Sequence, residues 1–437
     1  MNTKRTSHLL YMALTLAAIT FSLAVRAQAQ TDTVLYNFSG ATDGSGPTAG
    51  LVADSAGNLY GVTLSGGITT GNCTNNQGCG VVFELSPDGT GGWIETVLYT
   101  FTGGADGAFP ASTLLLDTEG NLYGAAASGG EVTNKDCSPY GCGVVFELSP
   151  TAGGWTETVL YAFHFTDGLR PSSLIRDATG KFYGTTLLGG SASSGTVFKL
   201  SPGSTGWVQT LLYTFAGGTS GSQPNGIVVG PSSSLYGTVA YGGVGDDVNC
   251  GNQGCGFVYK LASGSGGGWH ETTLYTFTGG TDGGVPNGLV LDSSGRIYGS
   301  TLYGGTPPCG GKIGCGVVFR LISGVSGWRE SVIYAFTGTN GKNPMANLFE
   351  DASGNLYGTT TEGGSKNSNC DASGCGLVFK LAPTSGGWWI PTTLYEFDYT
   401  DGAFPQSTPW LDSAGNLYGS TLYGGASGFG TVFEIQP

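Results

Sequence analysis

The sequence predicts an all-β fold: a seven-bladed β-propeller of four-stranded antiparallel blades, closed by the N-terminal strand completing the last blade. Three observations predict it. A hairpin of the type "LLLDTEGNLYG", Leu114 to Gly124, recurs around Tyr60, Tyr123, Tyr183, Tyr236, Tyr298, Tyr357 and Tyr418, with spacings of 63, 60, 53, 62, 59 and 61 residues. Each repeat carries four strand signals separated by turn residues, which is the content of one propeller blade. The two ends are complementary: the N-terminal "TDTVLYNF" is a fourth strand without its first three, and the C-terminal unit lacks a fourth. Joining them leaves no free sheet edge. A β-solenoid has shorter coils and needs no hairpin in every unit.

In chain order, residues 1–29 read as a secretory signal peptide: Lys4 and Arg5 start it, Leu9 to Val25 is apolar, and Ala27-Gln28-Ala29 fits a cleavage site. Residues 30–437 form a single propeller domain. Within each unit an apolar run such as Leu114 to Leu116 is the first, innermost strand. Asp117 and Gly120 make the reversal and "NLYG" starts the second strand. "GVVFEL" and its relatives, centred on Phe83, Phe146, Phe198, Tyr259, Phe319, Phe379 and Phe433, are the third. The fourth follows a Trp at Trp93, Trp155, Trp207, Trp269, Trp328 and Trp388. Along Trp93 to Phe101, period-two alternation places Val97, Tyr99 and Phe101 on one side, Thr96, Leu98 and Thr100 on the other. A second turn, "DG..P", links each fourth strand to the next blade, with Pro setting the entry to the inner strand. It loses its Asp at Gly221 to Pro224 and Gly341 to Pro344, and the fourth hairpin drifts to "GPSSSLYG".

The 81 glycines in 437 residues sit at constant places in the repeat, so they are turn residues and not low complexity. Without Lys4, Arg5 and Arg26 the formal charge moves from −14 to −17. That balance argues against nucleic acid or anionic lipid as partner, and beyond the leader no stretch is apolar for long enough to span a bilayer.

The set "GGW..T.LYTF", "DG..P", "D..GNLYGTT..GG" and "G.VFEL.P" resembles the GloVer (Gloeo/Verruco) tandem repeat of secreted bacterial proteins, over essentially the whole of residues 30–437. The blade layout is similar to kelch-type and NHL-type propellers in architecture only. The resemblance implies a secreted repeat protein without assigned catalytic residues. Family members are described with C-terminal sorting anchors; this chain ends at Pro437 directly after a strand, so no such anchor is expected.

The ten cysteines form five close pairs between second and third strands: Cys73/Cys79, Cys137/Cys142, Cys250/Cys255, Cys309/Cys315 and Cys370/Cys375. They occur in the five long loops and are absent from the two short ones. In a secreted chain that reads as five local disulfides stapling loops outside the blade cores, and two thiolates per blade fall short of a zinc site. The Trp residues read as inter-blade packing in preference to sugar stacking. Glu84, Glu147 and Glu434 alternate with Lys199, Lys260, Arg320 and Lys380 at one repeat position, which reads as a solvated edge. The hairpin Asp residues are turn formers, with calcium as the alternative. His164 and His270, the only histidines beyond the leader, stand at non-equivalent positions, and no catalytic triad, metal or cofactor is expected.

Strand direction puts the cysteine loops and the "DG..P" turns on one side of the ring. Function in repeat folds gathers on variable loops of one face. The candidate ligand-binding residues there are Phe109, Tyr140, Phe165, Tyr241, Tyr303, Phe404 and Tyr423. The expected function is binding of a glycan or a protein by a secreted monomer. The alternative is a carbohydrate-active enzyme, hydrolase or lyase, betrayed by singular residues such as His164-Phe165 and Trp410.

Overall fold

The computed structural model describes residues 31–436 apart from 68–72, 74–76, 132–134, 138, 244–249, 306–308, 310–312 and 366–367. The leader, 1–29, lies outside the described residues. Those described form seven antiparallel sheets around an axis, each running outward in chain order. Blade 3 shows the pattern: Leu169–Arg176 is innermost, then Phe182–Leu188, Thr196–Gly203 and Gly206–Thr214. In blades 2 and 7 the innermost strand is broken in two, as at Ala108–Pro110 and Leu115–Leu116. The ring closes as the ends of the sequence predict: Thr31–Asn37 pairs antiparallel with Thr431–Gln436 and supplies the fourth strand of blade 7.

The seams between blades repeat one set of contacts. At the end of each fourth strand a Phe meets the third-strand aromatic of the next blade edge to face. Phe38 meets Phe83, Phe101 meets Phe146, Phe163 meets Phe198, and so on round to Phe397 and Phe433, with centroids 4.9–5.3 Å apart at all seven seams. Each such pair contributes about 0.5–1.5 kcal/mol beyond its buried area. The proline of "DG..P" lies within the inner strand, not at its entry: Pro171 is opposite Thr186 in blade 3. This strand is the axial edge of its sheet, where a missing N–H is tolerated. The Pro171 ring lies against Gly143 of the preceding blade, where a Cβ would come within 2.5 Å of it. That close approach is why the residue before "VVF" is glycine.

Five expectations are corrected. The alternation along the fourth strand is broken by a β-bulge in every blade, between Val97 and Tyr99 in blade 1 and Val34 and Tyr36 in blade 7. The extra residue turns Leu98, Leu160 and Leu35 inward as well as the Phe three positions on, so both sides of the strand end pack against the core, Leu98 partly. In blade 6 the packing tryptophan is Trp389, not Trp388. Trp389 lies opposite Pro383 and 5.7 Å from Tyr298 of blade 5, while Trp388 is 79% exposed. The third-strand charges are not a solvated edge. They lie opposite the second-strand tyrosine, so Tyr418 Oη donates to Glu434 at 3.1 Å with Glu434 only 8% exposed, and Lys260 and Lys380 sit over the rings of Tyr236 and Tyr357. The "DG..P" turn near Pro344 keeps its acceptor: Asn340 Oδ1 takes the N–H of Thr337 at 2.6 Å in place of the missing Asp.

Finally, the cysteines are not confined to loops outside the cores. Cys79, Cys142, Cys255, Cys315 and Cys375, the second members of the pairs, are all buried, and each packs in the apolar cluster between its own blade and the next. Cys255 lies with Val258, Phe277 and Phe319, and Cys315 with Val318, Phe336 and Phe379. The reason is position. Each of these cysteines stands one residue before the glycine that opens the third strand, so the strand carries it into the seam.

Candidate ligand-binding face

The ten cysteines are joined as five disulfides, each within its own loop as the spacing predicts: Cys73–Cys79, Cys137–Cys142, Cys250–Cys255, Cys309–Cys315 and Cys370–Cys375, with Cα separations of 5.0–5.4 Å. Each loop leans on the adjoining "DG..P" turn: a Cβ on Gly103 would touch both sulfurs of Cys73–Cys79, and one on Gly338 would meet both sulfurs of Cys309–Cys315. The loops and these turns therefore share one side of the ring. The second cysteine of a pair also ties two blades together through its backbone. The carbonyl of Cys79 accepts the N–H of Phe109 at 2.8 Å, that of Cys142 the N–H of Arg170 at 3.0 Å, and that of Cys255 the N–H of Val285 at 2.8 Å. Cys315 accepts from Asn343 at 3.0 Å and Cys375 from Phe404 at 2.8 Å in the same way.

The donors in these bonds all precede a proline, and they have positive φ: 55° at Phe109, 60° at Arg170, 57° at Val285, 55° at Asn343 and 56° at Phe404. A non-glycine residue held there costs on the order of 1 kcal/mol, and such strain persists only where the surroundings enforce it. The side chains held this way differ in exposure: Arg170 is exposed, Phe109, Gln223, Asn343 and Phe404 are half-buried, and Val285 is buried. Sequence reading singled out two of these positions, Phe109 and Phe404, for being aromatic. It missed Arg170, Gln223, Val285 and Asn343, which share the conformation; the signal was the constant place before the proline.

Two clefts open on this face. The first, of about 460 Å³, lies between blades 2 and 3 and is walled by Phe109, Tyr140, Arg170, Pro171 and Leu187. The second, of about 300 Å³, lies between blades 6 and 7 and is walled by Asn343, Met345, Glu362, Phe404, Leu422 and Tyr423. There the rings of Phe404 and Tyr423 meet at 6.0 Å, and Glu362 is paired with Lys342 at 2.6 Å. Four of the seven candidate aromatics thus meet in two places, with Tyr140 and Tyr423 both exposed. The others do not join them. Tyr241 and Tyr303 hold the same repeat position as Tyr423, opposite the start of the inner strand of blades 4 and 5. Phe165 packs against the cluster that holds Cys137 and Cys142. On the axis, a funnel of about 520 Å³ is lined from all seven blades by hydroxyl, amide and apolar side chains.

His164 has company that the sequence did not reveal. Its Nε2 lies 2.8 Å from Glu131 and its Nδ1 3.5 Å from Asp167, which in turn accepts from Tyr161 Oη at 2.6 Å.

The opposite side of the ring is built from the hairpin turns. Asp117 accepts four hydrogen bonds, from the N–H groups of Glu119 and Asn121 (both 2.9 Å), Asn121 Nδ2 (3.1 Å) and Tyr123 Oη (3.0 Å). Burial pushes this carboxyl up, but the hydrogen bonds outweigh it and hold it below the usual carboxylate range; Asp54, Asp177 and Asp351 behave alike. Both oxygens are committed to the turn. No group of three or more His, Cys, Asp or Glu suited to a metal occurs among the described residues.

The family model for the Gloeobacter/Verrucomicrobia repeat matches residues 17–248, 131–365 and 247–437. The chain belongs to this repeat family. The three matches together span residues 17–437, and the described residues within them form the seven blades, the last of which is completed by Thr31–Asn37. No curated protein matches the chain. Among solved structures, the repeat propeller is similar to the extracellular domain of a hybrid two-component system protein from B. thetaiotaomicron, with TM-score 0.52 and 13% identity over 93% of this chain and 41% of that one. It thus spans about two fifths of that domain. It is equally similar to an ulvan lyase of family PL25 solved with -[GlcA(1-4)Rha3S]- bound, with TM-score 0.52 and 11% identity over 93% of this chain and 95% of that one. At these identities the likeness is one of fold. Among the described residues no helix is long and apolar enough to cross a membrane.

Proposed function

We propose that the protein is exported, loses residues 1–29, and binds a glycan without catalysis on the face carrying the disulfide-bonded loops. The observation that carries this reading is the pair of aromatic clefts on that face, held open by a strained, disulfide-anchored backbone. A pyranose packs its C–H face on an aromatic ring, and a rigid site avoids the ordering cost of binding. The five disulfides fit an oxidising compartment.

A second reading, a carbohydrate-active hydrolase or lyase, draws on the His164 cluster, because an imidazole between two carboxylates is suited to moving a proton. The ulvan lyase shares the architecture and acts on a polysaccharide, which keeps this alternative in play.

A glycan array on the exported protein tests both. Tyr140→Ala with Tyr423→Ala should lower the signal roughly tenfold while melting temperature and circular dichroism hold. Binding retained by this variant would overturn the proposal. Turnover of a bound glycan, lost in His164→Ala, would establish the enzyme instead.

A further inference from the structure

Each of the two clefts adjoins the funnel and shares lining residues with it. Ala111 and Ser172 line both the first cleft and the funnel; Met345 and Gln406 line both the second cleft and the funnel. The seam between blades 2 and 3 is separated from that between blades 6 and 7 by three blades one way and four the other. Seven blades allow no more nearly opposite placement. Cleft, funnel and cleft thus lie in line across the axis, and a ligand spanning them would treat them as one trough.

Its chemistry changes along its length. The ends are aromatic, with Phe109 and Tyr140 beside the single cation Arg170 at one and Phe404 and Tyr423 at the other. The middle carries no charged side chain among the described lining residues, in a chain of net charge −14. The amides of Asn225, Asn347 and Gln406 line that middle. Asn225 and Gln406 are half-buried and Asn347 exposed, and amides so placed take a hydrogen-bonding partner from water or from a ligand. At the second end the carboxylate of Glu362 is neutralised by Lys342 at 2.6 Å and hydrogen-bonded by Asn343 Nδ2 at 3.0 Å.

We infer that the trough takes one linear, uncharged oligosaccharide laid across the ring, stacked at both ends and hydrogen-bonded by amides at the axis; this rests on the loop-face reading above. A neutral sugar chain presents C–H faces for the rings and hydroxyls for the amides. An acidic polysaccharide would bring carboxylates into a middle that has no cation to meet them, and a desolvated unpaired charge is costly. A monosaccharide would engage one cleft alone. A chain engaging both gains because the second contact is intramolecular.

Calorimetry with cello- and malto-oligosaccharides from disaccharide to decasaccharide, beside an oligogalacturonate series, tests the inference. In one neutral series affinity should rise roughly tenfold or more with length. Tyr423→Ala should abolish that rise and leave disaccharide binding, and Asn225→Ala with Gln406→Ala should weaken only the long members. Affinity independent of length, still abolished by Tyr140→Ala, would overturn the trough and leave the loop-face reading standing. Tighter binding of the oligogalacturonates than of either neutral series would also overturn it. Should neither the ladders nor the array show binding that depends on this face, both readings fall.

Discussion

The two sides of the ring are made from the same repeats, yet they differ in what they hold constant. On the hairpin side six of seven turns reuse an Asp, and in five of these it accepts a tyrosine hydroxyl from the second strand, as from Tyr60 and Tyr357. On the loop side the scaffold is constant, down to the positive φ before each proline, while the residue held there is Gly, Phe, Arg, Gln, Val, Asn or Phe. One side spends its sequence on folding each blade. The other keeps a rigid backbone and varies what stands on it, the arrangement expected of a recognition surface.

The electrostatics differ in the same sense. Below the loop face the seams bury carboxylates midway along the fourth strands. Burial, then Asp43, raises Glu95 to about 7; burial with Asp106 does so for Glu157, and burial with Asp282 for Glu330. Asp32, in the closing strand, is raised to about 7 by burial and by Asp401, against the opposing hydrogen bond of Tyr395. These groups favour the protonated form, whereas Asp54, Asp117, Asp177 and Asp351 on the hairpin side favour the ionised one.

The largest expected effect is on the closure that both sides share. Deleting Thr31 to Ser39 removes the fourth strand of blade 7, the Phe38–Phe83 contact and the pairing with Thr431–Gln436. The melting temperature should fall by roughly 10 °C or more, with a shift to larger species on gel filtration, since both edges of the ring open. An unchanged melt would contradict closure by this strand.

A smaller effect separates the sides. Asp117→Ala strands four donors on the hairpin side and should cost about 2–3 kcal/mol, read as a lowered denaturation midpoint. Glycan affinity of the folded fraction should not move. A matching loss of affinity would mean that the hairpin side takes part in binding.

The smallest effect is the pH response. The seam carboxyls are raised in the folded state, so their contribution is present below their unfolded values near 4 and is lost as pH rises through about 7. Asp54, Asp117, Asp177 and Asp351 are lowered, so their contribution is present above about 4 and is lost as pH falls further. Melting temperature should therefore be higher at pH 5 than at pH 8, by on the order of 5 °C, and fall again in stronger acid. Glu95→Gln, Glu157→Gln and Glu330→Gln together should flatten the alkaline arm and leave the acid arm. An alkaline arm that survives in the triple variant would place the titration elsewhere.

Sequence by itself determined the blade number, the closure, the turn chemistry and the local cysteine pairs. Each of these rests on short-range rules: period-two strands, Asp-Gly reversals, and loops too short to pair cysteines far away. Tertiary structure decided what meets across a seam. Phe109 and Leu187 share a cleft although 78 positions separate them. Glu131 reaches His164 only because neighbouring loops emerge on one side. Cys255 and Cys315 pair locally, yet their burial against Phe277 and Phe336 comes from the seam and not from the spacing. Trp389 in place of Trp388 faces Tyr298 because register in the fourth strand is set by pairing with Pro383. The positive φ before each proline was equally hidden, since that conformation is tied to a carbonyl of the preceding blade. Contacts of this kind depend on how far one blade rotates against the next, and that rotation is set by packing and ring closure, which no local stretch of sequence contains.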